Sequence, residues 1–77
     1  MKARIIIALV GGDIVEGLWQ TVTEQDLEKM RDLLTDLHDE GGMTLTLVVK
    51  DDNEGLIEVF ATSEHIQAVR LEVVKND

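Results

Sequence analysis

One stretch of this chain carries a helical period, TVTEQDLEKMRDLLTDLHDEGG from Thr21 to Gly42. Within it Leu27, Met30, Leu34 and Leu37 recur at spacings of three and four residues, and Leu33 widens the stripe, the pattern of one apolar helix face. The segments on either side read as strands, with their period of two. A lone amphipathic helix has to lay its stripe on another apolar layer, so the chain is restricted to a helix on a sheet.

Both helix ends are signalled. Thr21 with Glu24 and Thr23 with Asp26 each have capping-box spacing. Thr23 is the preferred start, because it makes Val22 and Leu27 a hydrophobic staple and leaves Glu24 and Asp26 in the first turn, where the macrodipole favours acids. His38 falls in the last turn, and Gly41 or Gly42 can take the left-handed cap. The polar side is unusual: Glu24, Glu28, Asp32, Asp36 and Glu40 recur at every fourth position, a row of carboxylates along one line of the surface. Like charges so spaced cost about 0.2–0.5 kcal/mol per pair, and Lys29 and Arg31 relieve part of that.

Before the helix, Lys2 to Val10 is a β-branched run with two apolar faces, Ile5, Ile7 and Leu9 on one and Ile6, Ala8 and Val10 on the other, which predicts a central strand. Gly11, Gly12 and Asp13 turn it into a return arm, Ile14 to Gln20, that places Val15 and Trp19 on one face and marks Gly17 as a bulge position. After the helix, Met43 to Lys50 alternates, and the turn cluster Asp51 to Gly55 leads back through Leu56 to Thr62. Ser63 to Gln67 is a polar turn, read as a helical turn capped by Ser63 with Ile66 inward. Ala68 to Lys75 is the last strand, with Val69, Leu71 and Val73 toward the core, and Asn76 and Asp77 are expected to fray.

The order is strand, strand, helix, strand, strand, strand, so the expected fold is a small two-layer α+β domain over residues 1–77, mostly antiparallel, with the helix on one face. In order and length this resembles the ubiquitin-like β-grasp, a resemblance of architecture, which implies a last strand returning beside the first. A meander of the last three strands fits the pattern equally.

Sixteen acidic residues against seven basic ones give a formal net charge of −9, and residues 23 to 40 hold seven of the acidic groups. Direct nucleic-acid binding is not expected, since it draws on Lys and Arg displacing counterions, and Trp19 and Phe60 are the whole supply of stacking rings. Without cysteine there are no disulfides or thiolate metal sites, and the longest apolar run, Ile5 to Val10, is too short for a bilayer. A cytoplasmic protein without signal segment or membrane association is the expectation.

Chemistry-bearing constellations are thin. Ser63, the only serine, has neither His38 nor His65 at a spacing that suggests a nucleophile and base. Asp51 to Gly55 lacks the acidic periodicity of a calcium loop, and Gly11, Gly12 and Gly17 do not form a dinucleotide fingerprint. No catalytic residue, cofactor or metal is therefore expected. Two contact surfaces are: the acidic row of the helix, and an apolar interface of Ile6, Val10, Val48, Leu56, Phe60 and Val74 on the sheet side the helix cannot cover. The expected function is a protein–protein interaction or adaptor module that self-associates. The alternative is a nucleic-acid mimic whose acidic row, with successive members about 6 Å apart along the axis, occupies the basic groove of a nucleic-acid-binding protein.

Overall fold

The computed structural model describes residues 1–39, 41–53 and 55–75. Its elements in order are β1 (Lys2–Leu9), β2 (Ile14–Glu16), β3 (Gln20–Thr21), α1 (Glu24–Asp39), β4 (Thr44–Lys50), β5 (Leu56–Thr62) and β6 (Ile66–Val74). The expected fraying of Asn76 and Asp77 falls outside the described residues. The molecule is an α+β slab of 36 × 34 × 17 Å, whose thin dimension is that of one helix laid on one sheet layer.

β1 is central, as its two apolar faces predict. β2 and β3 pair along one of its edges and β6 along the other, all antiparallel. β4 and β5 pair antiparallel in a second sheet. The last strand thus lies beside the first, running antiparallel to it, and β4 and β5 stand apart from it instead of joining a meander. A single 3-10 turn, Ser63–His65, is enough to carry the chain from one sheet to the other. That turn is fastened to β1 by the Val10 N–H, which donates to the His65 carbonyl at 2.8 Å. Ser63 does not cap it; its hydroxyl accepts the Gly42 N–H at 2.9 Å and so ties the helix exit to the end of β5.

The return arm contains the bulge. Gly17 N–H donates to the Ile5 carbonyl at 2.8 Å, while Gln20 stands opposite Ala3, so Leu18 and Trp19 together face Arg4. Gly17 has no room for a side chain, since a Cβ there would lie 2.8 Å from the Ile5 carbonyl oxygen. The extra residue turns the Leu18 N–H away from β1, and it donates to the Val48 carbonyl of β4 at 3.1 Å, joining the two sheets. Simple alternation puts Trp19 beside Val15; the bulge corrects this and carries the ring to the outer face, 4.6 Å from the Arg4 guanidinium.

Both sheets turn their inner faces to α1. Leu37 packs with Ile7, Leu45, Leu47 and Ala61, drawn from both sheets, and Leu27 packs with Ala3 and Val22. The helix starts as the sequence indicates. Thr23 N–H donates to the Asp26 carboxylate at 3.0 Å and Asp26 N–H to the Thr23 hydroxyl at 3.1 Å, and Val22 and Leu27 are buried in the same cluster. At the other end Gly42 takes the left-handed conformation with φ of 82°.

Candidate functional site

Each sheet also has an outer face, turned away from the helix. On the β1 sheet, Arg4 Nε donates to Glu72 at 2.7 Å, Arg4 Nη1 to Glu16 at 3.2 Å, and Arg70 Nε lies 3.6 Å from Glu72. With Trp19 over Arg4, these side chains form a roof. Ile6 stands in register with Glu16 on one side and Arg70 on the other, and it keeps only 5% of its exposure. Long charged side chains beside an apolar residue shield it from water with their stems. Ile6 is therefore corrected from an interface residue to a buried one.

Among the described residues, nothing covers the β4–β5 hairpin in this way. Antiparallel register sets Thr46 opposite Phe60, Val48 opposite Glu58 and Lys50 opposite Leu56, all on the outer face. Leu56 is 69% exposed and Phe60 67%, with Val48 between them across the ladder and exposed as well. Of the described strand residues, Lys50 and Glu58 bring charge to this face. The structure thus brings together three of the sequence-derived apolar residues. Val10 and Val74 are exposed too, but they sit at opposite ends of the β1–β6 ladder and outside this patch.

The acidic row is where the helical period places it. Glu24, Glu28, Asp32 and Asp36 are all exposed on α1, and Glu40 lies outside the described residues. Asp26, next to the row, is occupied by capping: the Thr23 N–H and then the Thr23 hydroxyl hold its carboxyl below the ordinary value of 3.8.

The polar groups near the 3-10 turn are engaged locally. The His65 Nδ1 lies 2.7 Å from the Thr62 hydroxyl and the Ser63 hydroxyl accepts from Gly42, so serine and histidine do not address one another. Among the described residues no three His, Asp or Glu side chains converge as metal ligands, and no helix is long and apolar enough to cross a membrane. A groove of about 670 Å³ lies between the bulged arm and the β4–β5 hairpin, with Trp19, Val49, Lys50 and Val59 among the residues that line it. Its Arg4 is already committed to the roof.

Arg4 and Trp19 are the residues that reading the sequence by alternation missed. The available signal was Gly17, which marked the bulge without revealing which side chain it would redirect. No family model, curated protein or solved structure matches the chain.

Proposed function

We propose that the chain acts by binding rather than by catalysis, as a protein–protein interaction or adaptor module that self-associates through the outer face of the β4–β5 hairpin. One observation carries this reading: Val48, Leu56 and Phe60 are left bare together on one face, whereas on the other outer face ion pairs surround Ile6 and the exposed Ile14 stands apart from them. An exposed apolar cluster of this kind usually marks an interface. The charge distribution supports a second copy as the occupant. The acidic row belongs to the helix layer, on the far side of the slab, so two copies can meet hairpin to hairpin with their carboxylate rows held apart. The absence of cysteine suits a reducing cytoplasm as the setting.

Light scattering across a concentration series tests the reading. A dimer is expected, and Phe60→Asp should convert it to a folded monomer. A wild-type monomer at every concentration, or a dimer that ignores the substitution, would remove it.

A second reading rests on the exposure of Glu24, Glu28, Asp32 and Asp36, the acidic mimic that fills a basic groove. Glu28→Lys with Asp32→Lys should abolish capture of a nucleic-acid-binding partner while the circular dichroism spectrum stays unchanged. Capture that persists would exclude it.

A further inference from the structure

We infer that two copies of this chain join β5 to β5 in antiparallel register about Val59, closing one four-stranded sheet; this deepens the self-association proposed above and rests on it. The argument begins with the backbone. Asp51 N–H donates to the Gly55 carbonyl and Ser63 N–H to the Met43 carbonyl, so the odd-numbered residues of β5 turn their backbone groups toward β4. The N–H and C=O groups of Leu56, Glu58, Phe60 and Thr62 consequently point the other way, and among the described residues no strand pairs with that edge. The same even-numbered residues place Leu56, Glu58 and Phe60 side chains on the bare outer face. Backbone edge and apolar face therefore meet on one strand; an added strand pairs the edge and sets its own outward side chains beside Leu56 and Phe60 on the same face.

The strand fits its own copy. β5 runs Leu56–Thr62, so full overlap with a second β5 is centred on Val59. In that register Leu56 faces Thr62 of the second copy and Glu58 faces Phe60, which engages all four outward-facing residues in about eight N–H···O=C bonds. Phe60 then lies diagonal to both Phe60 and Leu56 of the second copy, within reach of aromatic contact. A register displaced toward Leu56 would set Glu58 against Glu58, which like charge disfavours.

Among the described residues the far edge of β6 is unpaired as well, and β6 carries a device against the same event. Even-numbered residues of β6 bond to β1, so Val69, Leu71 and Val73 direct their backbone outward. The centre of Ile66–Val74 is Arg70, and full self-overlap would place Arg70 directly against Arg70. The symmetric centre of β5 is Val59, which imposes no such penalty.

Single-cysteine variants test the register, since the chain has no cysteine of its own. At the centre of the dimer the two Val59 Cα atoms would be about 4.5 Å apart, inside the range a disulfide spans. Val59→Cys should therefore cross-link faster under mild oxidation than Glu58→Cys or Phe60→Cys. Glu58→Pro adds a backbone test: it removes an outward N–H and spares the β4 ladder, so the fold should persist while the dimer dissociation constant rises by about 30- to 100-fold. A dimer that Phe60→Asp breaks but that neither cross-links at Val59→Cys nor weakens with Glu58→Pro would overturn the strand pairing and leave the apolar-face reading standing. A wild-type monomer would overturn both, and binding of extended foreign peptides to that monomer would assign the edge to another partner.

Discussion

The two outer faces of this slab meet the same physical problem in opposite ways. One helix covers only the inner side, so each sheet is left with apolar residues facing water. On the β1 sheet Arg4, Glu16, Arg70, Glu72 and Trp19 close over Ile6. On the β4–β5 sheet no described residue closes over Val48, Leu56 and Phe60. Exposure on the second face is therefore not forced by small size or by sheet geometry, because the same chain buries Ile6 on its other face under charged side chains and one indole, although Ile14 stays exposed there.

Substitutions can break each half of that contrast. The largest effect is expected at Gly17→Ala, where the new methyl meets a backbone carbonyl at 2.8 Å. The bulge would shift, and urea denaturation should register a loss of about 2–3 kcal/mol. Arg4→Ala removes the roof's centre, leaving Glu16 and Glu72 without their shared partner and Ile6 uncovered. Because the Arg4 side chain is still 23% exposed, the expected loss is about 1–2 kcal/mol, below the full cost of orphaning a buried charge. Thr23→Ala acts on the helix that supports both faces alike and should cost about 1 kcal/mol by thermal melting. Phe60→Thr, on the bare face, should alter monomer stability by no more than about 0.5 kcal/mol while weakening association. A large loss of monomer stability there would mean that the two faces are more alike than their exposures suggest.

Acidification gives a further control. The Asp26 carboxyl is held below 3.8 by the Thr23 N–H and hydroxyl, so its charged form is the one the fold favours. Its contribution is present above that pH and fades as pH falls below 3.8 through the lowered value. Melting curves from pH 6 to pH 2.5 should therefore separate wild type from Asp26→Asn at the upper end and bring them together at the lower.

The helix was legible because its signals are local. Thr23, Asp26, Val22 and Leu27 lie within one turn of each other, and each determines the next. Inward and outward positions of β4, β5 and β6 were legible for the same reason, since alternation is a property of neighbours. The roof was not, because it depends on register. Only the pairing of β1 with both neighbours brings Glu16 and Glu72 to one arginine, and only the extra residue in the arm brings Trp19 to it. The candidate apolar interface divided along this line: Val48, Leu56 and Phe60 share a hairpin and stayed together, whereas Ile6, Val10 and Val74 depended on distant strands and were dispersed.

The antiparallel ladder between β1 and β6, in which Lys2 stands opposite Val74, also governs the order of events in folding. The β4–β5 hairpin closes a short loop and can form within microseconds. β1 cannot fill its second edge until residues far apart in sequence, Lys2 and Val74 at the extreme, have been brought together, and contacts of such separation are among the slowest to form. During that interval the hairpin already displays Phe60 and its open edge while the central strand still waits for its neighbour. Refolding should thus depend steeply on protein concentration, with association competing against completion of the larger sheet.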